Sequence, residues 1–130
     1  MAVMVQTEPV TTEAQVATSV LRTYRARHER VSEVPLADMV SGALRSDVRG
    51  VKAVAAGDLR VTEIVVPEEM ECAAVASAVW TLAARGWSVD VLVPSCRLGE
   101  AHAGLRGAPC RLQPWWVDDS EISFGGYETP

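Results

Sequence analysis

Three consecutive residues, Ser95, Cys96 and Arg97, form the most reactive segment of the sequence. They follow an apolar run and Pro94, where a short helical pattern begins, so Ser95 is suited to cap that helix. Free N–H groups at a helix start, together with an Arg side chain, bind small anions, and a thiol there is more reactive than elsewhere. The segment predicts a small-anion site or a thiol enzyme, while an ordinary helix cap is the simpler interpretation.

Acidic residues follow two of the predicted strands. Glu68 and Glu69 come after the first strand of an α/β unit, and Asp118 and Asp119 come after the third. In an open α/β sheet, ligands bind beyond the carboxyl ends of parallel strands, where these acids would meet residues 94–97. The sequence assigns no catalytic residue, and the candidate ligand-binding residues are Ser95, Cys96, Arg97, Glu68, Asp118 and Asp119.

The sequence contains none of the spacings that define common metal, nucleotide or phosphatase sites. Cys96, His102 and Cys110 span a whole helix, unlike the closely spaced ligands of structural zinc sites. Neither G-x-G-x-x-G nor G-x-x-x-x-G-K-[ST] occurs, and Glu68 and Glu69 would repel phosphates after the first strand. Cysteine-dependent phosphatases carry an Arg six residues after the nucleophile, where this chain has His102. We expect neither a metal nor a cofactor.

Basic residues are concentrated near the end of the first predicted helix, at Arg22, Arg25, Arg27, His28 and Arg30. Cations at a helix C-terminus complement the helix dipole, so a solvated helix end explains them without a partner. A patch for nucleic acid or for an acidic partner is the alternative. With 17 acidic against 12 basic residues and a net charge of −5, the chain lacks the excess of cations that general nucleic-acid binding needs.

Trp115 and Trp116 are the strongest sign of association. Consecutive strand residues point to opposite faces of a sheet, so both indoles are buried only if both faces are covered. Each indole presents about 200 Å², and leaving one in water forgoes about 5 kcal/mol at about 25 cal/mol per Å². Either the N-terminal helices cover the second face or a partner does. The second case predicts a homo-oligomer or a subunit joined through Trp115 and Trp116.

Length and composition indicate one domain without membrane contact. A chain of 130 residues forms a core without disulfides, because a domain of that size buries roughly two thirds of its unfolded surface. No run approaches the roughly 18 apolar residues of a membrane span, and residues 1–10 lack the pattern of a secretory leader. Cys72, Cys96 and Cys110 are odd in number and show no CxxC spacing. We expect reduced thiols and a cytoplasmic location.

The first third of the chain, residues 1–50, predicts a helical hairpin. Thr12 and Gln15 have the spacing of a capping box, and apolar residues recur at helical intervals to about residue 30. Pro35 suits the first position of a second helix, which would end before Gly50. Residues 51–56 fit either a helix or a strand.

The following part, residues 51–124, predicts an α/β unit with parallel strands. Its elements are strand 59–66, helix 68–85, strand 88–93, a short helix over 94–105, strand 109–116 and an antiparallel edge strand over 121–124. Gly86 supplies the left-handed cap of the long helix. Pro114 places the end of the third strand at an edge or a bulge, and residues 125–130 are expected to form a loose tail.

The fold class is therefore α/β, with a small mixed, mainly parallel sheet (βαβαβ plus an antiparallel edge strand) and an N-terminal helical hairpin in a single domain. The expected function is non-catalytic, in protein association or ligand-responsive regulation, with a second copy or another protein as the partner. The alternative is a small-anion binder or a thiol enzyme that uses residues 94–97. A weaker third hypothesis has the arginines of the first helix bind nucleic acid.

Overall fold

The computed structural model describes residues 12–26, 30–35, 39, 49–54, 60–67 and 70–130. In these residues a six-stranded sheet lies between helix α1 and two shorter helices. The helices are α1 (Thr12–Arg25), α2 (Ala76–Ala84) and α3 (Leu98–Gly104), with 3-10 turns at Cys72–Val75 and Ser95–Arg97. The strands are β1 (Arg30–Pro35), β2 (Arg49–Val54), β3 (Arg60–Val65), β4 (Ser88–Pro94), β5 (Arg111–Asp118) and β6 (Glu121–Phe124), and they lie side by side in chain order.

The predicted βαβαβ unit and its antiparallel edge strand are confirmed. β3, β4 and β5 are parallel neighbours, with Val61 opposite Ser88 at the start of the first pair. β6 returns antiparallel to β5. The two residues between them, Asp119 and Ser120, have φ angles of 46° and 65°, the left-handed conformation of a tight two-residue hairpin turn.

The helical hairpin predicted for residues 1–50 is not confirmed. Its first helix is present as α1, but α1 ends at Arg25, and Arg30–Pro35 forms strand β1. Pro35, expected at a helix start, is therefore the last residue of a strand. The second helix was predicted from Pro35 to just before Gly50; Pro35 and Arg49 lie in strands, and between them only Met39 is described, in a helical conformation. Residues 51–54, which the sequence left open between helix and strand, belong to β2.

The two additional strands change the character of the sheet. β1 pairs antiparallel with β2, and β2 pairs antiparallel with β3. Three of the five strand pairs are therefore antiparallel, and the mainly parallel part of the sheet is limited to β3, β4 and β5. Because β1 runs in the same direction as β3, four strands begin at one edge of the sheet.

The helix between β3 and β4 begins later than predicted but ends as predicted. The 3-10 turn Cys72–Val75 precedes α2, so regular helix does not start at residue 68. At the other end, Gly86 has a φ of 88° and donates its N–H to the carbonyl of Ala83, while Trp87 donates to the carbonyl of Leu82. These two bonds form the Schellman motif, which the Gly at this position predicts.

Each face of the sheet is covered by its own hydrophobic cluster, because alternate residues of a strand point to opposite faces. The cluster under α1 contains Val16, Ala17, Val20, Val65, Leu92 and Trp115. The cluster under α2 and α3 is larger, and its centre includes Ile64, Val79, Leu82, Val91, Leu105 and Leu112.

The tail, residues 125–130, is bonded to β5 although we expected it to be loose. Leu112 and Glu128 form an antiparallel bridge with N–H to carbonyl distances of 2.7 and 2.8 Å. Gly125 donates to the carbonyl of Pro114 at 2.8 Å. β5 is therefore bonded on both sides. The pairing of β5 with β6 stops at Trp115, and Pro114 lies just beyond that point.

Candidate functional site

The predicted anion site at residues 94–97 does not have the expected cap. Pro94 occupies the cap position of the 3-10 turn that follows, and no side chain caps it. Ser95 and Cys96 are exposed at the surface. The turn is three residues long and leads into α3, which has only seven residues. The helix start is therefore short and open instead of forming an enclosed anion pocket.

Arg97 is bonded within the protein. Its guanidinium donates to the carbonyl oxygens of Pro67 and Met70 and to both carboxylate oxygens of Glu100. Glu100 in turn accepts the backbone N–H of Cys72 at 3.2 Å. The bond from Arg97, and next the bond from the Cys72 N–H, hold the pKa of the Glu100 carboxyl below its usual range. Arg97 thus positions the loop after β3, and its donors are directed to protein acceptors.

Asp118 and Asp119 form no hydrogen bond or ion pair with residues 95–97 in the described part of the chain. Trp115 of β5 is level with Pro94, the last residue of β4. Asp118 is three residues further along β5, about 10 Å beyond the end of β4 at the usual rise of a strand. Asp118 and Asp119 are exposed at the hairpin turn. Glu68 lies outside the described residues.

The three cysteines and His102 are separated in the structure. Cys72 and Cys110 are buried, and Cys96 is exposed; all three are free thiols. Burial raises the pKa of the Cys72 thiol, and burial followed by the charge of Asp90 raises the pKa of Cys110 to about 11. His102 contacts the carboxylate of Glu128 at 3.1 Å. Within the described ranges, no three His, Cys, Asp or Glu side chains are grouped as metal ligands.

The two tryptophans of β5 have different environments. Trp115 is 7% exposed and packs in the cluster under α1, so helix α1 covers the face for which we considered a partner. Its indole N–H is buried without a hydrogen-bond acceptor among the described residues. Trp116 points to the opposite face and is 40% exposed. Of the two predicted interface residues, only Trp116 is accessible to a partner.

Two carboxylic acids that the sequence analysis did not single out lie inside the sheet on the α1 side. Glu63 of β3 and Asp90 of β4 are register partners, 2% and 1% exposed. The Tyr24 hydroxyl donates to Oε1 of Glu63 at 2.6 Å. Arg111 donates to both carboxylate oxygens of Asp90, at 2.8 and 3.0 Å. Tyr24, Glu63, Asp90 and Arg111 thus form a polar row across the sheet, which we call the carboxyl row.

The carboxyl row holds a proton on Glu63. Burial, and then the negative charge of Asp90, raise the pKa of Glu63 to about 9. Oε2 of Glu63 is buried and has no donor among the described residues, which would be costly for an ionised carboxylate. A protonated Oε2 is instead a donor, and its hydrogen bond with Asp90 is a further cause of the raised pKa of Glu63. Burial, and then Glu63, also raise the pKa of Tyr24, so its hydroxyl keeps its proton.

The signal for this row was present in the sequence. Glu63 and Asp90 each stand in the middle of an otherwise apolar strand, in VTEIVV and SVDVLV. The residues around Glu63 are nearly continuous in apolar character, which favours a strand covered on both faces, and the residues around Asp90 have the same character, so a carboxyl group at the centre of either strand is expected to be buried. What the sequence did not show is that β3 and β4 align these two residues.

An open cleft of about 450 Å³ lies beside the carboxyl row. Asp90 and Arg111 line it together with Val61 and Ser88. These residues stand near the starts of the parallel strands, at the edge opposite the one where we predicted a site. The cleft and the carboxyl row show that the polar chemistry of this fold is concentrated away from residues 94–97.

The arrangement defines a small α/β protein with a mixed sheet between helical layers. Comparisons with protein-family models, with curated proteins and with solved structures find no match. In the described part of the chain, no helix is both long and apolar enough to cross a membrane. The functional assignment below therefore depends on the residues of this chain alone.

Proposed function

We propose that the protein acts without catalysis, by associating with a second copy of itself or another protein through the β5–β6 hairpin. We call residues 116–123 the hairpin arm. The observation that carries the proposal is that Trp116 and Val117, both large and apolar, are 40% and 54% exposed on this arm. Aromatic residues of this kind supply most of the energy of protein interfaces, because they bury a large area at a small entropic cost.

The arm is held at its base and turns tightly at its tip. It extends beyond Pro94, the end of the neighbouring strand β4, and the two left-handed residues of its turn hold it in one conformation. At its base, Trp115 is anchored under α1. Gly125 lets the returning chain pack close to the arm, since a Cβ there would lie 2.8 Å from Cγ of Pro114 and 3.4 Å from the ring of Trp116. One side of the Trp116 ring is thus held while the rest is available to a partner.

The position of β6 also favours association. Among the described strands it is the outermost on this side of the sheet, and only β5 pairs with it. An outer strand presents unpaired backbone groups, which a partner strand can satisfy. β6 contains no Pro and no Lys, the residues that commonly protect such edges. A cytoplasmic location is part of the proposal and is supported by the three free thiols.

The test is the molar mass of the wild-type protein and of two Trp variants, measured by light scattering over a range of concentrations. We expect the wild-type mass to rise with concentration and Trp116→Ala to shift it toward the monomer. Trp80→Ala is the matched control, because Trp80 is 58% exposed on α2, away from the arm. The proposal would be contradicted if the wild-type protein stayed monomeric and captured no partner through Trp116. It would also be contradicted if the two substitutions had equal effects.

The anion-binding or thiol alternative keeps one supporting observation, the exposure of Cys96. It predicts that iodoacetamide alkylates Cys96 quickly at neutral pH and that phosphate or acetate slows the reaction. Cys72, which is buried, is the internal reference. The bonds that occupy Arg97 favour a different result, in which Cys96 reacts at the rate of an ordinary exposed thiol and anions give no protection.

A further inference from the structure

One edge of the sheet is lined with arginines. β1, β3, β4 and β5 all begin at this edge, and the ends of α1 and α3 lead into it. The exposed arginines that start these strands or stand in the preceding turns are Arg25, Arg30, Arg60, Arg85, Arg106 and Arg111. We call this surface the arginine edge. At about 4.8 Å between strands, it extends over about 19 Å from β1 to β5.

The register of the sheet aligns part of this surface. Arg30 is opposite Val54, and Val54 is opposite Arg60, so the two arginines lie in one row on the same face. Arg60 is held over the ring of Trp87 at 5.4 Å and donates to the carbonyl of Arg85 at 2.9 Å. These contacts orient the guanidinium of Arg60 without neutralising it, because carbonyl oxygens and aromatic rings carry no net charge.

Few carboxylates balance the arginine edge. In the described part of the chain, Arg25, Arg60, Arg85 and Arg106 form no ion pair. Asp90 is paired with Arg111, and the nearby Glu128 is bonded to His102. The described residues of the edge therefore carry a positive charge on a protein whose net charge is −5. Such a surface attracts a locally acidic partner.

The hairpin arm has the opposite charge and lies at the opposite end of the molecule. Asp118, Asp119 and Glu121 are exposed around its turn, at the carboxyl end of β5. The exposed ring of Trp116 is on the same arm and can stack against a guanidinium plane. The arm thus presents an acidic and aromatic surface that is complementary in charge to the arginine edge.

We propose that the hairpin arm of one copy docks on the arginine edge of a second copy, so that molecules associate head to tail. The proposal rests on the function proposed above and names its partner and receiving surface. Because the two surfaces differ, the contact is heterologous and leaves one free arm and one free edge on every dimer. The mass should therefore rise beyond that of a dimer with concentration, and the association should weaken as salt is added.

A second copy is a better occupant than a nucleic acid. The hairpin arm, at the end of the molecule opposite the arginine edge, carries exposed acids. The overall charge of −5 also repels a long polyanion. A head-to-tail contact instead places the acidic end of one molecule against the basic end of the next. The charge distribution that disfavours nucleic acid favours this assembly.

Two neutralised variants test the docking. The tip variant carries Asp118→Asn and Glu121→Gln, which are opposite each other in the hairpin. The edge variant carries Arg25→Gln and Arg106→Gln, two arginines whose side chains form no bond with any described residue. Glu71→Gln is the control for removing one exposed charge outside both the hairpin arm and the arginine edge. Each double variant should associate about tenfold more weakly than the wild type, since each exposed charge contributes modestly.

Mixing the two variants separates head-to-tail docking from other geometries. The intact arm of the edge variant can bind the intact edge of the tip variant, so a 1:1 mixture should form a heterodimer and stop there. Two outcomes would overturn this inference and leave the proposed function standing. In the first, the wild type associates through Trp116 and the edge variant associates equally well. In the second, the mixture stays monomeric. A wild-type protein that shows no association would overturn both. Binding of an oligo-dT strand that is lost in the edge variant, without self-association, would also overturn it.

Discussion

The Tyr24 hydroxyl donates a 2.6 Å hydrogen bond to Oε1 of Glu63 and so joins helix α1 to the interior of strand β3. The bond connects residues 39 positions apart in the chain. The second oxygen of Glu63, Oε2, then faces the neighbouring Asp90. Because both carboxyl groups are buried, one proton is retained between them. The packing of α1 on the sheet is thereby coupled to the protonation of Glu63.

The first prediction concerns Glu63→Gln and pH. The pKa of Glu63 is raised from about 4.3 in an unfolded chain to about 9 in the folded protein, so the folded state binds more protons between these values. The free energy of unfolding contributed by Glu63 is complete below about pH 4.3 and decreases as the pH rises toward 9, by at most about 1.4 kcal/mol per pH unit. Glu63→Gln should remove this decrease, because its amide stays neutral.

The measurement is urea unfolding of the wild type and of Glu63→Gln between pH 5 and pH 9. The variant should match the wild type near pH 5 and become the more stable protein as the pH rises. Glu71→Gln, at an exposed position whose side chain forms no bond among the described residues, controls for the removal of one carboxylate. A constant difference between wild type and Glu63→Gln across the range would show that Glu63 does not titrate as described.

A second prediction concerns Tyr24→Phe. The substitution removes the donor to Glu63 and leaves a buried carbonyl oxygen unsatisfied, which costs about 1–3 kcal/mol. We expect a decrease of this size in the free energy of unfolding at pH 7, with increased hydrogen exchange in α1. Thr23→Val is the matched control, since it removes a hydroxyl on the same helix whose bond to the Ser19 carbonyl is exposed. Similar stabilities for the two variants would contradict the role of the bond.

A third prediction distinguishes the two tryptophans of β5. Trp115 is buried under α1, so Trp115→Ala should lower the free energy of unfolding by about 3–5 kcal/mol. Trp116→Ala removes a ring that is 40% exposed in the monomer and should cost less than Trp115→Ala, because it gives up less buried apolar area. Thermal and chemical denaturation at a concentration where the protein is monomeric measures both. A large loss for Trp116→Ala would mean that its effect on association is indirect.

A fourth prediction uses the two glycines of α3. A Cβ at Gly104 would lie 2.9 Å from the backbone nitrogen of Ala73, whereas a Cβ at Gly99 would meet nothing within 4 Å. Gly104→Ala should therefore destabilise the protein by about 1–3 kcal/mol through overpacking. Gly99→Ala should stabilise it by about 0.5–1 kcal/mol, because Ala favours a helix over Gly. Changes of the same sign in the two variants would show that α3 is not packed against the 3-10 turn in this way.

Predictions from the sequence were most reliable where a local signal sufficed. The Gly86 cap, the strand after it and the tight β5–β6 hairpin each depend on a few adjacent residues, and all three are present in the structure. Strand β1 was missed because its residues have a weak local pattern and are ordered by pairing with β2. The expectation of a loose tail was wrong for the same reason, since Glu128 is held by a bridge to Leu112.

The sequence by itself determined an α/β fold with a βαβαβ core, because apolar periodicity, glycine caps and turn residues act over short distances. It also placed two acids within buried strands and a Trp pair on one strand. Only the tertiary structure decided which of these residues interact. Strand register aligns Glu63 with Asp90 and brings the arginines to one edge. It also sets the face on which Trp115 is buried under α1. Register is set by pairing between distant segments, and a linear pattern of residues does not contain that information.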